Sequence, residues 1–131
     1  MMKTNLKVTD MTTFDFGDGP VAAHRHPNGG GWVADTAKVD EYSFIGPDAR
    51  VYGTAKIYGV CHIYGNAEIF GNARISGSVH VYGNAKVSGN AKVFGDARVY
   101  CDAWVFGDAE VFGDARVYGD AWVYGNARMT E

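Results

Sequence analysis

The sequence predicts an all-β fold: a three-sided parallel β-helix in which one short strand forms each side of every coil. Three observations carry this expectation. An aliphatic residue recurs at every sixth position from Val33, Val39, Ile45, Val51 and Ile57 through to Val123 and Met129, without an insertion. A small residue stands two places before almost every one of them, as at Ala49, Ala67, Ala85 and Ala103. Glycine followed by Asn or Asp punctuates the units, as at Gly65-Asn66 and Gly107-Asp108. Self-similarity at a fixed period marks a solenoid. A period of six with a glycine in most units fits no 3.6-residue helical face.

Residues 1–32 lack the repeat and are read as an N-terminal cap or extension. Leu6, Val8, Phe14 and Phe16 alternate with polar residues, which suggests a strand, and Pro27-Asn28-Gly29-Gly30-Gly31 reads as a turn. A cap is expected because an open β-helix end exposes unpaired backbone groups. Residues 33–131 form the repeat domain. In Ala103-Trp104-Val105-Phe106 the alternation of small, variable, branched and aromatic side chains has the period of a strand. Gly-Asp or Gly-Asn then supplies a sharp corner, since these residues tolerate positive φ. Three segments make a coil of eighteen residues, giving about five coils with strands stacked about 4.8 Å apart. Ala and Val side chains point into the prism at every coil, from Ala37 to Ala127, with Ser43, Cys61 and Val79 as variants of the small position. One small and one branched residue per side fill a narrow core.

Val-Tyr-Gly-Asn-Ala-Arg and its variants resemble the hexapeptide repeat of the left-handed parallel β-helix, which places an aliphatic at its first position and a small residue at its fifth. The resemblance covers roughly three quarters of the chain, and left-handedness is implied by it alone. The junction Ala-His-Arg-His-Pro-Asn-Gly-Gly-Gly-Trp-Val before the repeats is similar to that of uncharacterised hexapeptide-repeat proteins of phages and prophages.

Residues eighteen apart form exposed columns. One face carries His62/Tyr64, His80/Tyr82, Arg98/Tyr100 and Arg116/Tyr118, with Phe44 at its start. This is the candidate ligand face: tyrosine rings suit a sugar or base, and paired arginines suit phosphate or carboxylate. The plainer role is a solvated face on which Arg and His stack against Tyr. A second face carries Arg50/Tyr52, Glu68/Phe70, Lys86/Ser88, Trp104/Phe106 and Trp122/Tyr124. Trp104, Phe106, Trp122 and Tyr124 together form an apolar patch of the size that marks an interaction surface. A homo-oligomer contact is expected there; the resemblance implies a trimer with parallel prism axes. The third face carries Lys38/Asp40, Lys56/Tyr58, Arg74/Ser76, Lys92/Phe94, Glu110/Phe112 and Arg128/Thr130.

The expected function is therefore a non-catalytic, self-associating binding or scaffold protein, phage-encoded if the junction is a guide. Its partners would be its own copies and a host protein or a small nucleotide or sugar ligand. No cofactor is expected. The alternative that the resemblance implies is a minimal or degenerate acyl-CoA-dependent acyltransferase, for which His62 or His80 would serve as base. No loop excursion interrupts the repeats and no acid is placed by sequence to orient either histidine, which weighs against it. A γ-carbonic-anhydrase-like metal enzyme stands further off. His24 and His26, on one side of an extended segment, are the weak metal candidates. Asp102 with Asp120, and Asp96 with Asp114, stack at corners where turn chemistry outweighs Ca²⁺ binding.

The formal charge of -3 disfavours general nucleic-acid binding. Cys61 and Cys101 occupy different repeat positions and read as reduced thiols of an intracellular protein. No signal-peptide pattern or membrane-spanning stretch occurs, so the expected location is cytoplasmic.

Overall fold

A computed structural model of the chain describes residues 12–131, so Leu6 and Val8 lie outside the described residues. The fold is an all-β parallel solenoid of about five turns built from three sheets. The register is the eighteen-residue one: His62 lies opposite His80, Trp104 opposite Trp122, and Lys56 opposite Arg74. Backbone amides donate to the coil below, as from Arg50 to the Ala67 carbonyl at 3.0 Å and from Tyr52 to the Ile69 carbonyl at 2.9 Å. We name the faces after their dominant side chains. The tyrosine face is a five-stranded sheet, the lysine face a six-stranded one and the tryptophan face an eight-stranded one.

The core is the column of aliphatic and small residues that the period requires. Ile45, Val51, Ile57, Ile63, Ile69, Ile75, Val81, Val87, Val93, Val99, Val105 and Val111 are all fully buried. Each such burial contributes about 1.5–3 kcal/mol. Ala121 and Ala127 depart from the expected core: both are exposed, because no following coil lies against them in the structure. Among the small-position variants, the Ser43 hydroxyl donates to the Gly59 carbonyl at 2.8 Å and accepts from the Cys61 amide at 3.1 Å. A buried hydroxyl is tolerated where it finds such partners.

The repeated corners take their shape from residues of positive φ, glycine at every one from Gly53 to Gly125 except Cys101. These glycines have φ from +65 to +94, whereas no Asn or Asp among the described residues has positive φ. The Asx residues instead bond one another from coil to coil. Asn66 Nδ2 donates to Asn84 Oδ1 at 3.3 Å, and Asn84 Nδ2 to Asp102 Oδ1 at 3.1 Å. Asn72 Nδ2 donates to Asn90 Oδ1, and Asn90 Nδ2 to Asp108 Oδ1, both at 3.3 Å. For Asp102 this differs from the turn chemistry the sequence suggests: its carboxylate accepts from the Asn84 carboxamide stacked on it by the neighbouring coil.

Three strands precede or open the coils: β1 (Thr13–Asp15), β2 (Pro20–Arg25) and β3 (Trp32–Ala34). β1 pairs antiparallel with β2, β2 antiparallel with β3, and β3 parallel with Arg50–Val51 of the tryptophan face. Phe14 stacks on Trp32 at 4.8 Å, and Phe16 on Tyr52 at 4.7 Å, so this extension continues the ring ladder of that face. The 26–31 turn lies against the first coil. Ile45 N–H donates to the Asn28 carbonyl at 3.0 Å, and Gly31 N–H to the Ile45 carbonyl at 2.9 Å. A Cβ on Gly29 would fall 2.2 Å from the Ile45 oxygen, which is why this approach needs glycine.

Candidate functional site

On the tyrosine face, the strands Phe44–Ile45, His62–Ile63, His80–Val81, Arg98–Val99 and Arg116–Val117 each point their first side chain outward and their second inward. Tyr64, Tyr82, Tyr100 and Tyr118 form one continuous stack with centroid spacings of 4.8, 5.0 and 5.5 Å. Interplanar angles of 3° along most of it mean that ring faces are turned to one another. What the column offers outward is ring edges and hydroxyls; Tyr118, 58 % exposed, ends it. The planar platform expected along the whole column is thus spent inside the ladder, because strand spacing and ring-stacking distance nearly coincide.

His62 and His80 stack at 4.8 Å and 5°, and Tyr64 meets His80 edge-on at 6.5 Å. His62 Nδ1 is buried with no hydrogen-bond partner among the described residues. Desolvation, then the neighbouring His62 and Arg98, holds the His80 imidazole below its ordinary value. Burial, followed by Tyr82, pushes the Tyr64 phenol up, against a smaller pull from Arg98. Arg98 and Arg116 lie opposite each other in register and both are exposed. The arrangement presents a cationic pair beside phenol hydroxyls and a stacked imidazole pair.

A pH dependence follows from His80. Its folded value lies below its unfolded one, so the contribution is complete above the ordinary histidine range and is lost as pH falls through it toward the lowered value. The thermal midpoint is expected to drop between about pH 7.5 and about pH 5, and to drop less in His80→Gln. Equal drops in both proteins would contradict this assignment.

The tryptophan face is not a uniform ladder. Tyr52 stacks on Phe70 at 4.9 Å, Ser88 interrupts, and Phe106 stacks on Tyr124 at 5.2 Å. Trp104 turns toward the gap: its Nε1–H donates to Ser88 Oγ at 2.9 Å, with Lys86 Nζ 5.5 Å from the ring centre. Ser88 is buried as a result, although its column position alone would leave it in solvent. Trp122 meets Trp104 and Phe106 edge-on, at 5.7 and 5.8 Å. Trp104 and Phe106 are therefore half-buried, while Trp122 and Tyr124 remain 61 % and 57 % exposed. Tyr52 Oη donates to Glu68 Oε1 at 2.9 Å; burial and then this carboxylate push the phenol well up.

His24 and His26 do not converge. His24 Nδ1 lies 2.7 Å from Asp35 Oδ1 at the surface. His26 is buried, with Nε2 3.0 Å from the Asp40 carbonyl oxygen. Among the described residues no group of three or more His, Cys, Asp and Glu could hold a metal ion. Asp102 accepts from Asn84 as the foot of a carboxamide ladder. Both cysteines are free thiols; burial pushes the Cys61 thiol up, whereas Cys101 is exposed.

A family model described as the YdcK Beta solenoid repeat matches residues 69–83 and 109–125. Those two segments include coil corners and strands of all three faces, and they are similar to that repeat in the features that wind the chain. No curated protein and no solved structure matches. Sequence reasoning placed Lys38, Lys56, Arg74 and Lys92 in one column of the lysine face but assigned them no role; the structure sets them in direct register. The signal was in the spacing, but their lack of counter-ions is a property of the folded surface.

Proposed function

We propose that this chain is a non-catalytic β-solenoid that self-associates through its tryptophan face and binds small ligands elsewhere on its columns. Residues 12–32 serve in this reading as the cap of the first coil. The observation that carries it is the pair Trp122 and Tyr124, each more than half exposed beside the partly buried Trp104 and Phe106. Large aromatic side chains left in water on one contiguous surface favour an interface, and a three-sided prism offers a flat wall for it. A second copy of the chain is the occupant we assign to this wall, which carries both signs of charge, Glu68 and Lys86 standing one strand apart. The assembly we propose is a trimer with parallel axes.

Trp104 also serves the chain's own packing, so the informative substitutions are at Trp122 and Tyr124. Light scattering on the unaltered protein is expected to give a mass near three chains of 14.2 kDa. Trp122→Ser with Tyr124→Ser is expected to lower that mass to one chain while the circular dichroism spectrum is kept. An unchanged mass with the fold retained would overturn the interface.

The tyrosine face supports the ligand-binding part. Arg98 and Arg116 have no ion-pair partner among the described residues and share their face with the stacked Tyr100 and Tyr118, a set suited to a phosphate or carboxylate group on a nucleotide or sugar.

A further inference from the structure

The lysine face carries an array that neither reading above uses. Lys38, Lys56, Arg74 and Lys92 occupy one column on four successive coils, each directly opposite the next. Like charges placed opposite on neighbouring strands repel. None of the four has an ion pair among the described residues, where only His24 with Asp35 and Arg128 with Glu110 are paired. Glu110, next in the column after Lys92, turns to Arg128 at 3.2 Å and so leaves Lys92 without it. The array is thus a cationic row on an otherwise acidic molecule, ended by a closed ion pair.

Beside the row runs the carboxamide corner. Thr54, Lys56, Asn72, Arg74, Asn90 and Lys92 line a shallow groove of about 350 Å³ that follows the solenoid axis. Asn72 and Asn90 each spend one Nδ2 hydrogen on the ladder, and a carboxamide nitrogen has two. Every coil therefore brings one cation and one hydroxyl or amide group to the groove, at the strand spacing.

We propose that this groove binds an extended acidic polysaccharide, with carboxylates of its alternate rings seated on Lys56 and Lys92 and with Arg74 between them. Repeat length favours this class. A pyranose ring in an extended chain advances by close to one strand spacing, and successive rings are turned over. The carboxylates on one side therefore recur every second coil, as Lys56 and Lys92 do, while ring hydroxyls between them meet Arg74 and Thr54, Asn72 or Asn90. An extended nucleic-acid strand fits less well. Its phosphates lie farther apart than the strands do, and single-stranded binding draws on exposed ring faces for its bases. On this face Phe94 and Phe112 stack on each other at 5.0 Å and 5°, which leaves Tyr58, 47 % exposed beside Lys56, as a single ring and not a platform for successive bases.

The test is fluorescence anisotropy of the full chain with a labelled linear oligouronate at low salt. A neutral oligosaccharide of equal length and a single-stranded oligodeoxynucleotide serve as competitors. Binding is expected to weaken with added salt, to resist the neutral competitor, and to be displaced less well by the oligodeoxynucleotide than by unlabelled oligouronate. Combined Lys56→Gln, Arg74→Gln and Lys92→Gln substitutions are expected to weaken binding by at least about tenfold. All three positions are on the surface, so the fold is expected to persist in circular dichroism. Arg98→Gln with Arg116→Gln, on the tyrosine face, is expected to bind as the unaltered chain does. The proposal is overturned if the oligouronate fails to bind, if the triple substitution leaves affinity unchanged, if the tyrosine-face pair carries the loss, or if the oligodeoxynucleotide binds more tightly.

Discussion

Val99→Asp is expected to unfold several coils at once. Val99 is fully buried and lies in register between Val81 and Val117, so its side chain has no route to solvent within its own coil. Losing the valine forfeits about 1.5–3 kcal/mol of burial. Placing a carboxyl group among alkyl side chains, with no donor facing it, adds several kcal/mol more whether or not it ionises. The sum, on the order of 5 kcal/mol or above, is comparable with the whole stability of an ordinary domain. Neighbouring coils share the damage, because solenoid stability is a sum of units and their interfaces. Denaturant melts followed by far-ultraviolet circular dichroism would check this, with Arg98→Asp, one residue away and exposed, as the comparison. That surface change is expected to stay within about 0.5 kcal/mol. Equal melting of Val99→Asp and the unaltered chain would refute the interior assigned here.

Gly89→Val is expected to be nearly as damaging by a different route. Gly89 has φ +65, and a Cβ there would lie 2.8 Å from the Gly107 amide nitrogen of the next coil. The left-handed conformation costs an ordinary side chain about 1–2 kcal/mol, and a β-branched one fares worse. The close approach adds a displacement of the corner below, for a total on the order of 3 kcal/mol. Cys101 is the natural comparison. It alone among the described non-glycine residues has positive φ, at 61°, and it stands in the glycine column. Cys101→Gly should therefore raise the melting midpoint, by a gain of about 1 kcal/mol or less once the freer unfolded chain is counted. A destabilised Cys101→Gly, or a Gly89→Val that melts normally, would show that corner geometry is not the constraint.

Most of the fold was legible because its rule is one of repetition. Once Val33 to Met129 is seen to recur every six residues, the partners of His62, Trp104 and Lys56 follow without reference to any energy. Interactions made inside a column were harder to read. Periodicity puts Ser88 in a ring column, but only the rotamer of Trp104 decides that the indole turns toward that gap and buries the hydroxyl. Asp102 reads in sequence as a turn residue, a local habit of Asx side chains that yields here to the neighbour stacked on it by the coil, Asn84. The antiparallel strands β1 and β2 lie outside the repeat, where alternation in Phe14 and Phe16 hints at a strand but names no partner. His24 and His26 looked alike in sequence; one lies at the surface beside Asp35 and the other is sealed beneath the Asp40 carbonyl. Of the candidate surfaces, the columns could be read directly. The uncompensated charge on the lysine face could not, since pairing is decided by which way Glu110 turns.

Because each turn of the solenoid offers almost the same partners as the next, a chain wound one turn out of phase would satisfy most of its ladders equally well. Pitch alone does not number the turns. The bonds that do so lie at the start, where His26 meets the Asp40 carbonyl, Asp40 accepts from the Gly59 amide, and Ser43 holds Gly59 and Cys61. The serine contacts recur once in weaker form, where the Cys61 thiol donates to the Gly77 carbonyl at 3.5 Å. Those of His26 and Asp40 have no counterpart farther down among the described residues, so they act as the index mark from which every later turn is counted.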